Sequence, residues 1–361
     1  MNNIRSAFRR FDQWRRHHMA SLEPLLYNMI RNDKARSEAL LSPSEVNDII
    51  IVRNNGRIGN MLFLIPFVRQ TRRAFPNARL TLMLKWPWQG QFFENMGIDD
   101  IVYSHFSAKE LPTFLKTLSR LKKQTFDICF TPFGSAEDTI ISAQLCARNK
   151  VSFDSDKCGV AFTHTVEVPT SGEHAAILPL ALLTKYVTVE LGSDAHCLAF
   201  SDGERLRGKL SRQELCDPSQ RCIAYFRGAR GKKQLSDDTW HKLLKQFERV
   251  SPSPITWVEI LSPEVPTPLR EDVKTYSNKN LRELASFVSF TDGFLCCDTG
   301  PLHLADTANV RCYGVYTHTS PVRFGLLTKG SIVIQNLQAF DSATVERESD
   351  ETLEVAASLA H

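Results

Sequence analysis

The chain has 361 residues, 42% of them apolar and 23% charged, with a formal net charge of +4. That length exceeds what one small core organises, so two domains are expected, and the composition is that of a globular protein. The charge is too mild to argue for nucleic acid, no apolar run approaches a membrane span, and the N-terminus lacks the apolar core of a secretory signal. Nine cysteines without a Cys-x-x-Cys pair or metal-ligand spacing read as small core hydrophobes of a reducing compartment, so the expected location is cytoplasmic.

Residues 1–36 hold eight Lys/Arg against three acids, and Ile4, Phe8, Phe11 and Trp14 follow helical spacing. The segment Ile4 to Arg16 therefore predicts a basic amphipathic helix, either lying on an anionic membrane surface or packed on the body by its aromatic stripe. Residues 1–46 are set apart as this segment. A continuous apolar strand, Asp48 to Arg53, comes next, then a turn and a helix from Gly59 to Phe75 that Pro76 stops. Strands are expected at 79–85, 100–103 and 126–130, and helices at 92–97, 111–122 and 138–147. The alternation implies a parallel sheet covered on both faces.

After a polar link around 201–220 the pattern restarts. Strands are expected at 221–226, 255–261, 293–297 and 310–316, and helices at 236–250 and 281–288. The division is therefore a first Rossmann-like domain at 47–200, a second at 201–340, and a tail or helix at 341–361.

Three constellations carry chemistry. Gly56 to Pro66 opens with a glycine-flanked turn between the first strand and helix, which places backbone N–H groups at the sheet's C-terminal edge. Arg227, Arg230, Lys232 and Lys233 crowd into seven residues between a strand and a helix that Ser236 can cap, a setting suited to a diphosphate. Asp298-Thr299-Gly300-Pro301-Leu302-His303-Leu304-Ala305 runs from a buried strand into a helix. Asp298 and Thr299 stand at capping positions, Gly300 lets the backbone come close to a ligand, and Pro301 suits the first turn. Free N–H groups and the positive helix end there would bind a diphosphate.

The octapeptide resembles the D-[ST]-G-P-x-H-L-A signature of family 9 glycosyltransferases, the ADP-heptose:lipopolysaccharide heptosyltransferases. The first motif, about 240 residues earlier, is similar to that family's opening I-G-D motif, so the resemblance spans 48 to about 340. It implies a GT-B fold, two Rossmann-like domains facing across a cleft, and inverting transfer of heptose from ADP-heptose to the lipopolysaccharide inner core. The implied partners are a nucleotide sugar, a lipid-linked oligosaccharide acceptor and the cytoplasmic face of the inner membrane. No cofactor, metal or nucleic acid is expected, since cations and a helix terminus would offset the leaving group's charge.

By the same resemblance, Lys233, seven residues before Trp240, would hold the donor phosphates with Arg230 and the N–H groups of Thr299 and Gly300. Asp298 would contact the donor sugar, Glu264 the ribose hydroxyls, and Asn280 would lie near the base. His303 falls in the same turn, where a packing role is the competing reading. Gly59 and Asn60 stand on the acceptor side. The family's basic aspartate is Asn60 here, an amide that can orient a hydroxyl but not take its proton. Glu137 and Asp138 are the substitute carboxylates. Thr317 to Arg323 occupies the place of a family G-P-T-[DS]-P loop without its Gly-Pro. The G-R-I-G-N-x-x-F string is also similar to the opening motif of certain fucosyltransferases. The alternatives are therefore another donor such as a GDP-sugar, or a weakly catalytic nucleotide-sugar binder.

Overall fold

The computed structural model describes residues 23–155, 159–169, 172–335 and 337. The expected helix at 4–16 and the tail at 341–361 lie outside them. In chain order, α1 (Glu23–Ile30) precedes β1 (Asp48–Arg53), α2 (Ile58–Leu62), α3 (Ile65–Ala74), β2 (Arg79–Leu84), β3 (Asp100–Tyr103) and α4 (Leu111–Leu121). The first half closes with β4 (Thr125–Thr131), α5 (Ala136–Gln144), β5 (Cys146–Phe153) and β6 (His164–Val166). The second half runs α6 (Asp202–Leu215), β7 (Arg221–Phe226), α7 (Asp237–Val250), β8 (Ile255–Ile260), β9 (Lys274–Tyr276) and α8 (Leu281–Ser289). It ends with β10 (Gly293–Cys297), α9 (Gly300–Thr307), β11 (Cys312–Val315), α10 (Pro321–Phe324) and β12 (Ile332–Ile334).

Two six-stranded sheets result, β3-β2-β1-β4-β5-β6 and β12-β11-β10-β7-β8-β9, each paired in parallel throughout. Strands buried on both faces explain the unbroken apolar runs of β1 and β10. In β1 the alternation sorts the layers: Ile49 and Ile51 pack with α3, whereas Ile50 and Val52 pack with Phe114 and Leu118 of α4 and Ile141 of α5. Each large side chain so buried contributes roughly 1.5–3 kcal/mol.

Several elements depart from the expectation. The helix at 59–75 is two helices, because Pro66 has no N–H to continue a first helix and instead sits in the opening turn of α3. The helix expected at 138–147 ends at Gln144, and the chain turns at once into β5. The polar link holds α6, capped by Ser201 with Glu204 returning to the Ser201 N–H. Cys216 and Cys222, at the facing ends of α6 and β7, form a disulfide with Cα atoms 6.0 Å apart, which corrects the reading of every thiol as a core hydrophobe. Six other described cysteines are free and buried.

The halves are joined by more than the linker. Arg282 of α8 is buried and donates to the Gln91 carbonyl (3.0 Å), the Ala199 carbonyl (2.6 Å) and both oxygens of Glu204 (2.5 and 2.7 Å). Those bonds hold the Glu204 carboxyl down at about 2.

Candidate active site

In the second sheet the crossovers run one way from β7 and the other way from β10, so a crevice opens at the strands' C-terminal ends between them. Asp298 follows β10 directly and is 4% exposed. Its carboxylate accepts from Lys233 Nζ (2.6 Å), His303 Nε2 (3.1 Å) and the Thr319 hydroxyl. Lys233 Nζ also donates to the Asp298 carbonyl at 2.8 Å. Burial pushes this carboxyl up, but the donors His303, Lys233 and Thr319 outweigh it and hold the group well below the usual carboxylate range. The ammonium, with three N–H groups and two in use, is thus fixed at the crevice with one donor left.

The start of α9 adds neutral donors. Thr299 is the N-cap residue, yet its hydroxyl lies on Cys296 Sγ (3.3 Å) and does not cap. The N–H groups of Thr299 and Gly300 have no hydrogen-bond partner among the described residues, and Pro301 in the first turn has none to offer. An ammonium, two free amides and the positive helix end therefore converge beside Asp298, an arrangement that suits an anion.

Gly300, read as a ligand approach, and Gly59, read as acceptor-side, also seat the halves on each other. A Cβ at residue 300 would lie 3.1 Å from Ile58 Cβ, and one at residue 59 would lie 3.1 Å from His303 Cδ2. So α2 of the first half rests on α9 of the second. His303 is 6% exposed, with its ring edge-on to Phe63 at 4.7 Å and Nδ1 buried without a partner. It is packed and tied to Asp298 at once, so the two readings of it meet.

Opposite lies the first sheet's own reversal point, between β1 and β4. Asp138 is fully buried there, with Arg53 Nη1 on one oxygen (3.1 Å) and the Asn54 N–H on the other (2.5 Å). Its geometry is that of a structural ion pair, which corrects its place among the substitute bases. Glu137, next to it, is half-exposed and accepts from Asn54 Nδ2 (2.6 Å), with Lys85 Nζ at 3.4 Å. Asn60, on α2, makes no side-chain hydrogen bond among the described residues.

The remaining candidates are more scattered. Arg230 is 88% exposed and pairs with Glu264 at 2.8 Å. Asn280 caps α8, accepting from the N–H groups of Arg282 (2.9 Å) and Glu283 (3.4 Å), so its side chain serves that helix rather than a base pocket. Sequence reasoning missed two contributors and the partner of a third. Thr319 reaches Asp298 from the variant loop, Arg53 neutralises Asp138, and Arg227 is drawn from the cationic loop to buried Glu259 (2.6 Å). Only the last had a signal, an arginine directly after a buried strand.

Comparison with known proteins converges on the same half. The family model of glycosyltransferase family 9 (heptosyltransferase) matches residues 258–353. The second half is thus similar, over those residues, to the family 9 glycosyltransferase domain. Among solved structures, a family 9 glycosyl transferase from Veillonella parvula superposes with a TM-score of 0.67 at 16% identity, covering 87% of this chain and 97% of that one. The Escherichia coli heptosyltransferase WaaC, solved with ADP, gives 0.62 at 14% identity over 87% of this chain and all of its own length. The E. coli ADP-heptose lps heptosyltransferase II gives 0.61 at 14% identity over 87% and 98%. At such identities the likeness is one of fold, a two-domain α/β arrangement. No curated protein matches the sequence.

Proposed function

We propose that this glycosyltransferase moves heptose from ADP-heptose onto a lipid-linked oligosaccharide of the lipopolysaccharide core, with inversion at the anomeric carbon, at the cytoplasmic membrane face. The observation that carries the reading is the convergence of Lys233, the Thr299 and Gly300 N–H groups and the α9 terminus on one crevice, facing α2 of the other half. The relatives solved with ADP and with an ADP-heptose analogue support that choice of donor.

On this reading the diphosphate leaves against the α9 amides and the free Lys233 N–H, whose fixed dipoles need no rearrangement as charge develops. Asp298 orients the ammonium and offers an acceptor to a donor-sugar hydroxyl. On the same reading the acceptor hydroxyl approaches from the first half, oriented by Asn60, and half-exposed Glu137 is the candidate to receive its proton. No metal is called for in this scheme, because the ammonium and helix end supply the positive charge.

Calorimetric titration with ADP, GDP and UDP, followed by turnover with ADP-heptose, tests the proposal. Selective binding of ADP, lost in Lys233→Ala, is the expected result. Tighter binding of GDP would favour another donor, the reading that Asn60 and the Thr317–Arg323 loop keep in view. Tight binding of ADP without turnover of any acceptor would make the chain a nucleotide-sugar binder.

A further inference from the structure

Helix α4 covers the face of the first sheet that also carries α5. Phe114, Leu118 and Leu121 point inward, each no more than 5% exposed. An ordinary surface helix would finish its other side with polar groups. Here Leu111 and Leu115, one turn apart, stand 50% and 54% exposed. Around them residues 109–123 carry five cations and one acid, all exposed. Among the described residues no carboxylate pairs with Lys109, Lys116, Arg120 or Lys123, and Lys122 is held only by the Gln144 amide oxygen (2.7 Å).

The position of this face is as informative as its composition. The loop from β3 to α4 is tied to the crevice, because the Ser104 hydroxyl donates to Asn54 Oδ1 (2.5 Å) and Asn54 holds Glu137. Since α4 begins at the C-terminal edge of the sheet, its exposed leucines start one loop away from the acceptor side.

We propose that the outward face of α4 docks on an anionic phospholipid bilayer, the two leucines entering the interface and the surrounding cations meeting lipid phosphates. A second copy of the chain is a poor occupant, because a symmetric contact would lay one cationic helix on another. An apolar peptide groove would leave the unpaired cations unexplained. The proposal does not depend on which sugar is transferred.

Sedimentation of the full chain with phosphatidylcholine vesicles, with and without roughly one-third phosphatidylglycerol, tests it. The chain should bind only the anionic vesicles and release as salt rises. Leu111→Ser with Leu115→Ser should lower the partition ~10-fold, and Lys116→Glu with Arg120→Glu should do at least as much. Circular dichroism should show both variants folded, since all four side chains are exposed. Equal binding of parent and variants would overturn the proposal and move any membrane contact away from α4. Failure of the parent to bind, or a change in oligomeric state with unchanged vesicle binding, would overturn it too.

Discussion

The two sheets reverse direction at equivalent points, β1/β4 in the first half and β7/β10 in the second, and an aspartate is buried close to each. Asp138 is enclosed by its own half: Arg53 and the Asn54 N–H take its oxygens, and burial still pushes the carboxyl up. Arg53 is pulled down by the same burial. Asp298 is slightly less enclosed and better supplied, with donors from Lys233, His303 and Thr319, and its carboxyl is pushed down. The first arrangement seals a sheet edge. The second keeps a charged pair standing beside free amides, ready for an anion. The same strand order thus yields a wall in one half and a receptor in the other, and the difference lies in where the cation comes from. Arg53 is the last residue of β1, whereas Lys233 arrives from a loop and has a donor to spare.

The strongest way to break this contrast is at the wall. Arg53→Ala leaves a buried carboxylate without its partner and should cost about 3–5 kcal/mol in urea denaturation, with Arg53→Lys costing less. Lys233→Ala should act mainly on catalysis, lowering turnover ~100- to 1,000-fold, and should destabilise less than Arg53→Ala because His303 and Thr319 still donate to Asp298. The join between the two points is probed by Gly59→Val, whose side chain would press on the His303 ring. Overpacking there should cost about 1–3 kcal/mol and raise the donor KM, read by steady-state kinetics. The smallest effect is one of pH. Asp298 has a folded-state pKa below its unfolded value, so its stabilisation is complete above about pH 5 and fades as the pH falls further, by up to about 1.4 kcal/mol per unit. Urea midpoints measured between pH 6 and 3 should show that slope in the parent, and less of it in Asp298→Asn.

Much of the second half was legible because its strands are sheathed on both faces and its motifs are local. Gly293 to Cys297 and the signature helix lie where their apolar run, capping residues and Pro301 place them. What escaped reading was set by distant partners. Strand β5, Cys-Ala-Arg-Asn-Lys-Val-Ser-Phe, carries Asn149 and Lys150 in its middle and does not look like a buried strand. Lys150 is nevertheless 2% exposed, its ammonium on the carbonyls of Asn32 (3.0 Å) and Ala143 (2.8 Å), and Asn149 is bonded to the chain at 37–41. Helix α6 is too polar for periodicity to reveal, although its Ser201/Glu204 capping box was a local signal. The cationic loop read as one diphosphate cradle divides in three. Lys233 turns to Asp298, Arg227 to Glu259, and Arg230 outward to Glu264. Composition could mark the loop but not apportion it.

Arg282 bears on how such a molecule can move. One side chain from the second half grips the first half at Gln91, the linker at Ala199 and its own helix layer at Glu204. Pulling the lobes straight apart would break the bond to Gln91 and open a packed guanidinium to solvent. A pivot centred on α8 would leave these bonds intact, whereas straight separation would not.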